Sequence, residues 1–110
     1  MSDVTVPEPV AEFIARVNAG DEQGFLDAFT ASGYVDDWGR VFPDRAAIKK
    51  WSDVEFIGAK GVLTPTKVTQ DGATVVVIGD WRSNHANGLS EFTFVVEGDK
   101  LASMVIRGAD

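Results

Sequence analysis

There is no cysteine anywhere in the chain. Disulfides, thiolate nucleophiles and Cys-ligated zinc are therefore excluded. Histidine occurs once, as His85, so a His-rich metal site is excluded too, and a protein without metal or cofactor is expected. No apolar run approaches the ~20 residues of a membrane span. The opening MSDVTVPEPV carries neither a basic stretch nor a long apolar core. It does not read as a secretion signal, and a cytoplasmic location is expected. Positive charge is scarce: 10 Lys and Arg stand against 17 Asp and Glu, a formal net charge of −7. Nucleic-acid binding depends on Lys and Arg neutralising phosphates, so this balance argues against it, and equally against an anionic membrane surface. The charge serves solubility.

What remains is ordinary globular composition, 45% hydrophobic and 25% charged over 110 residues. That is enough for one domain spanning residues 1–110 with a single core. Met1 to Val6 shows no pattern and reads as a loose arm. Pro7 and Pro9 suit the approach to a helix, and Val10, Phe13, Ile14 and Val17 repeat at helical spacing along one face. Asn18-Ala19-Gly20 ends that helix. Asp21 caps a second, expected to run to about Thr30 with Phe25, Leu26 and Phe29 on its buried side. Gly24 inside it costs ~1 kcal/mol relative to Ala, so this helix needs tertiary packing.

Tyr34 to Trp51, YVDDWGRVFPDRAAIKKW, organises the rest. Tyr34 to Trp38 reads as a strand, with Tyr34, Asp36 and Trp38 on one face and Val35 and Asp37 on the other. Gly39 and Pro43 bracket a turn or loose link. Asp44 caps a third helix over about Arg45 to Ser52, its buried side built from Ala47, Ile48 and Trp51, with Lys49 and Lys50 near its C-terminal end. After Gly61 the period becomes two. Strands are predicted over Val62 to Thr69, Ala73 to Ser83, Leu89 to Val96 and Leu101 to Arg107. Pro65 marks an edge or a bulge, Asp71-Gly72 a tight hairpin, and Gly79 a curve or bulge in the longest strand. Helices collected ahead of an antiparallel meander indicate an α+β fold, with a curved sheet wrapped as a cone around the N-terminal helices.

Two neighbouring carboxylates beside tryptophans are the sharpest chemical feature. An aspartate in an apolar pocket has its charged form disfavoured, which suits it to acid–base work near neutral pH. Alternation sends one of Asp36 and Asp37 inward but does not choose between them. His85, in a loop after the longest strand, has the only side chain with an ordinary pKa near 7. Trp38, Trp51 and Trp81 can wall a cavity for a flat apolar molecule. Asp80 and Arg82 read as a surface pair, and Glu91 alternates away from Phe92 and Phe94. No Ser-His-Asp set, phosphate loop or HExxH site is present.

The chain resembles the NTF2-like superfamily, in its SnoaL-like branch. EFIARVNAGDEQGFLDAFTASGYVDDW, residues 12–38, is similar to the opening of the ketosteroid isomerases. VFPDRAAIKKW resembles the family's loop and third helix, with Asp44 where Gly is usual. GDW…FTFVVEGDKLASMVI is similar to the strands of small members. The resemblance implies a cone-shaped α+β barrel with a deep pocket and a homodimer through the outer sheet face. It places the isomerases' catalytic base on Asp37. It also puts Phe13 where they carry an oxyanion-donating tyrosine, and their second acid near Glu91, which alternation points outward. A steroid-isomerase mechanism is disfavoured, because a developing enolate lacks its donors.

The expectation is a pocket protein for a small apolar organic molecule, a lyase or isomerase with Asp37 as general acid or base and His85 as a second proton-transfer group. Phe13, Val17, Tyr34, Trp38, Trp51 and Trp81 are the expected pocket walls. The alternative is a non-catalytic ligand-binding or dimerisation module. Val75, Val77, Leu89, Val95, Leu101 and Val105 exceed what three short helices can cover, which favours a homodimer.

Overall fold

The computed structural model describes residues 4–109, so the part of the expected loose arm at Met1–Asp3 lies outside the described residues. Helix α1 (Val10–Asn18) buries the expected stripe of Val10, Phe13, Ile14 and Val17. It ends where Gly20 takes φ 71°, conformationally cheap only for glycine. Helix α2 (Glu22–Asp27) is capped by Asp21, whose side chain accepts from the Gly24 N–H at 3.0 Å. A Cβ on Gly24 would lie 2.6 Å from that same carboxylate, so glycine makes room for the cap.

Helix α2 is shorter than its sequence pattern suggests. Phe29 and Thr30 belong to strand β1 (Phe29–Asp37) instead. The sheet competes for this segment: the Leu101 N–H donates to the Ala28 carbonyl at 2.8 Å, and Phe29 pairs with Leu101. Phe29 is wholly buried and meets the rings of Phe13 and Phe25 edge-on, with 5.6 Å between centroids in each case. Packing therefore overrides local propensity.

The link expected between Gly39 and Pro43 is a second strand, β2 (Arg40–Phe42), paired antiparallel with β1. Helix α3 (Arg45–Glu55) has the expected Asp44 cap, at 2.9 Å from the Ala47 N–H. It runs beyond Ser52, so Lys49 and Lys50 sit mid-helix rather than at its end. Lys49 pairs there with Asp53 at 2.8 Å and with Glu22 at 3.2 Å.

Strands β3 (Val62–Asp71), β4 (Thr74–Arg82), β5 (Gly88–Glu97) and β6 (Lys100–Gly108) form the expected meander. The sheet as a whole is mixed rather than antiparallel. Its order is β2-β1-β6-β5-β4-β3, and β1 runs parallel to β6. It stays open, with β2 and β3 as edges. Pro65 lies on the edge strand β3, and the register slips between Pro65 and Lys67, so the bulge falls opposite Gly79 rather than in its own strand. A Cβ on Gly79 would come within 2.6 Å of the Thr64 carbonyl, which is why the two backbones can close there. The fold is α+β, as read from the sequence.

The helices cover one sheet face. Phe13, Phe25, Phe29 and Phe94 form the aromatic centre of the core, and Val75, Val77 and Leu101 are buried with them. Those three therefore do not belong to an uncovered face. Leu89 and Val95 remain exposed, and Val105 is half-buried on the opposite face beside Val76, Ile78 and Thr93. Among the described residues, no helix is long and apolar enough to cross a membrane.

Candidate ligand-binding site

Strand alternation fixes which aspartate faces inward. Val35 is fully buried, and Asp37, two residues on, shares its side of β1. Asp36 points the other way. Its carboxylate accepts from Arg107 at 3.0 and 3.3 Å and from the Gly39 N–H at 2.8 Å. The Arg107 hydrogen bonds, helped by that N–H, hold the Asp36 pKa below the ordinary carboxylate value.

Asp37 and Arg40 are register partners across the β1–β2 hairpin. The two residues between them, Trp38 and Gly39, have φ of 55° and 93°. Positive φ at both positions defines the tight hairpin loop whose twist matches the strands. Trp38 therefore does not continue the strand beside Tyr34 and Asp36. It is 66% exposed at the turn, in a conformation that costs a bulky side chain roughly 1–2 kcal/mol.

This register sets Arg40 between two carboxylates. One terminal nitrogen, Nη2, lies 2.6 Å from Asp37 Oδ2 and 2.6 Å from Glu55 Oε1, while Nη1 donates to Glu55 Oε2 at 3.0 Å. Glu55 is the last residue of α3. Arg40 holds the Glu55 pKa below its usual value against the opposing effect of burial, with a smaller contribution from His85. The Arg40 pKa is correspondingly raised, first by Glu55. From α3, one turn earlier, Trp51 Nε1 donates to Asp37 Oδ2 at 3.0 Å.

Both bonds to Asp37 thus fall on Oδ2. Among the described residues none falls on Oδ1, and no fully buried side-chain oxygen is left without a partner. Oδ1 is therefore not fully buried, on a residue that lines an aromatic cavity. The apolar, unpaired setting expected for this aspartate is replaced by a carboxylate with one oxygen anchored and one free.

His85 reaches the same place from the β4–β5 loop, with Nε2 3.2 Å from Glu55 Oε1. Ser83 ties that loop together. Its hydroxyl donates to the Ala86 carbonyl at 2.7 Å and accepts from the His85 and Ala86 N–H groups, and Asn87 Oδ1 accepts from the Ser83 N–H.

The cavity is a half-open cleft with a volume of about 270 Å³. Its polar side is Asp37, Arg40, Glu55 and His85; Trp38, Trp51, Phe56, Trp81, Phe92 and Ile106 supply most of the rest. Phe56 is sandwiched between Trp51 and Trp81, with centroids 4.7 and 4.6 Å away, and Phe42 stacks on the far side of Trp51 at 5.6 Å. The Trp81 ring passes directly over Gly61, where a Cβ would sit 2.1 Å from Cη2.

Of the residues predicted from sequence, Asp37, Trp38, Trp51, Trp81 and His85 come together here. Phe13, Val17 and Tyr34 do not. Phe13 is packed among Phe25, Phe29 and Phe94 in the core. Val17 borders a separate hollow near Ile57 and Lys60, and Tyr34 lies on the sheet's outer side, opposite Ser103. Arg40, Glu55, Phe56 and Phe92 are cavity residues that sequence reading did not select. Among the described residues, no group of three or more His, Asp or Glu is placed to hold a metal ion.

A Sinorhizobium meliloti protein whose name suggests a polyketide cyclase superposes with a TM-score of 0.81 at 19% identity, covering 93% of this chain and 95% of that one. An NTF2-like protein of unknown function from Cytophaga hutchinsonii gives 0.78 at 15% identity, covering 96% and 91%. The epoxide hydrolase/cyclase-like enzyme SalBIII, of pyran ring formation in the polyether salinomycin, gives 0.78 at 24% identity, covering 88% and 84%. The chain has an NTF2-like fold. No family model matches the sequence, and no curated protein matches it. At these identities the NTF2-like likeness concerns architecture; chemistry has to be argued from the cavity.

Proposed function

We propose that the Asp37 cavity binds a small, largely apolar organic molecule and transfers a proton on it, as a lyase, isomerase or cyclase of the SnoaL-like kind. One observation carries this reading. Asp37 lines an aromatic cavity with one carboxylate oxygen anchored by Arg40 and Trp51 and the other without a hydrogen-bond partner among the described residues. A base needs a fixed position and an unshared lone pair, and this arrangement supplies both. Asp37 Oδ1 takes the proton from the ligand's carbon or hydroxyl. His85, on the other side of Glu55, is the group that returns one. The names carried by two NTF2-like structures, a polyketide cyclase and an epoxide hydrolase/cyclase-like enzyme, agree with proton-transfer chemistry of this type.

A second reading, a ligand-binding module without turnover, is favoured by the cavity's size. About 270 Å³ lies just below the ~300–1,000 Å³ usual for small-molecule pockets, and the stacked rings fill the space beside it. We also assign homodimerisation to the outer sheet face, where Val76, Ile78, Val95 and Val105 point the same way, interspersed with Thr74, Thr93 and Glu91.

The deciding test is a panel of small carbonyl and hydroxyl compounds, followed by NMR for both binding and conversion. Catalysis predicts a fall in turnover of at least about 100-fold in Asp37→Asn with binding retained. Binding without conversion in the wild type establishes the second reading. No binding to the cavity by any compound rules out both.

A further inference from the structure

The polar groups of the cavity are unevenly committed, and the imbalance says what kind of ligand fits. Arg40 is its one permanent cation, and both of its terminal nitrogens already bond carboxylates, Asp37 on one side and Glu55 on the other. Its guanidinium carbon also lies 5.7 Å from the Phe42 ring centre. The Trp51 N–H is spent on Asp37. Glu55 accepts through both oxygens. Asp37 Oδ1 is an unspent acceptor, whereas the N–H groups Arg40 has left over belong to a guanidinium whose charge is already shared between two carboxylates. Two carboxylates against one guanidinium leave this wall at −1 with His85 neutral and at zero with His85 protonated, so it is positive in neither state. The chain's net charge of −7 has the same sign. The remaining surface is indole and phenyl, whose ring faces attract cations and repel anions.

Resting on the reading of this cavity as a ligand site, we propose that it selects ring compounds bearing a hydrogen-bond donor, an alcohol or an amine, and rejects carboxylates and phosphates. The donor meets Asp37 Oδ1 and the ring body lies against Trp38 and Trp81, which line both this cavity and the adjoining hollow at Gly88 and Leu89. An anion brought to the same position would face Asp37 with no uncommitted cation to offset it, and a buried charge without a partner is strongly disfavoured.

Three probes sharing one ring system test this: naphthylmethanol, naphthylmethylamine and naphthoic acid, titrated into the wild-type protein at pH 7 with amide chemical shifts as the readout. The alcohol and the amine are expected to bind at the cavity at least about tenfold more tightly than the acid, a difference of ~1.4 kcal/mol. In Asp37→Asn the gap between amine and acid should shrink, and added salt should shrink it in the wild type as well. Acid binding as tight as amine binding in the wild type overturns the inference, whatever the variant does, and leaves the cavity reading standing. Failure of all three probes to shift the cavity amides defeats the cavity reading and this inference with it.

Discussion

Arg40 is the residue whose removal tests the described site most directly. Its Nη2 lies 2.6 Å from an oxygen of Asp37 and 2.6 Å from an oxygen of Glu55, so those oxygens are no farther apart than twice that distance. In Arg40→Met the two carboxylates face each other at roughly 5 Å, a repulsion of about 1–3 kcal/mol for an effective dielectric between 80 and 20. Arg40 is half exposed, so solvent screening pulls the effect toward the lower end, about 1 kcal/mol at pH 7. For a domain of this size that lowers Tm by roughly 4–8 °C. The pH dependence gives a sharper check than the magnitude. Arg40 holds the Glu55 pKa below its unfolded value, so the wild type gains stability that is fully present above the unfolded carboxylate pKa and lost as pH falls through the native one. The variant has the opposite linkage, because adjacent carboxylates raise each other's pKa and protonation relieves their repulsion. The wild-type advantage should therefore hold near pH 7 and narrow as pH falls through the carboxylate range toward about pH 4. Thermal unfolding followed by tryptophan fluorescence across that range is the assay. Adding Glu55→Gln to Arg40→Met should recover part of the loss, since a neutral amide no longer repels Asp37. An unchanged Tm at pH 7, or a gap that widens on acidification, would refute the bridge as described.

Two further substitutions bear on the aromatic walls. Trp38→Gly releases a left-handed backbone at the cost of ~0.5–1 kcal/mol in chain entropy, and the exposed ring gives up little burial. Tm should hold or rise slightly in urea or thermal scans, while naphthyl probes bind more weakly; a clear loss of stability would show that Trp38 packs more closely than its exposure indicates. Gly61→Ala puts a methyl group where the Trp81 ring lies and should cost about 1–3 kcal/mol, with the cavity amides shifting in NMR spectra. Unperturbed cavity resonances would contradict the close approach.

The elements that were legible in the sequence are those whose signal is local. Val10, Phe13, Ile14 and Val17 carry helical spacing within nine residues, and Thr74–Arg82 alternates with the burial it shows. The parallel pairing of β1 with β6 joins Tyr34 to Ser103 and Asp37 to Ile106, far apart in the chain. No short-range pattern reports such a contact, and the short strand Arg40–Phe42 exists only because β1 is there to pair with it. Phe29 is apolar in either a helix or a strand. Only the Leu101 backbone decides between them. The site divides in the same way. Asp37, Trp51, Trp81 and His85 stood out by residue type. Arg40 and Glu55 are ordinary surface types, 15 positions apart, and meet through a hairpin and a helix end. The family resemblance points Phe13 toward the site, yet its ring packs in the core.

Asp36 and Asp37 show how much of the chemistry rests on register. The two side chains are identical and adjacent, yet one is paired with Arg107 on the outer face and the other, bonded to Arg40 and Trp51, lines an aromatic cavity. Alternation separates them, but the hairpin decides what each one meets. A two-residue loop puts Arg40 opposite Asp37, on the same face, within reach of Glu55. One more residue in that loop would slip the register by one and turn Arg40 to the other side of the sheet. Asp37 would then keep only the Trp51 N–H, and Glu55 would lose its bridge. The unusual feature of the loop is a tryptophan in a conformation that Asn or Gly adopts more easily. Asn at position 38 would form the same turn with less strain, so turn formation does not account for the indole. Trp38 borders the cavity, and a ring held at its mouth contributes contact area that Asn cannot. On the proposed reading of the cavity as a ligand site, the strain at the turn is offset by the aromatic surface that Trp38 offers a ligand.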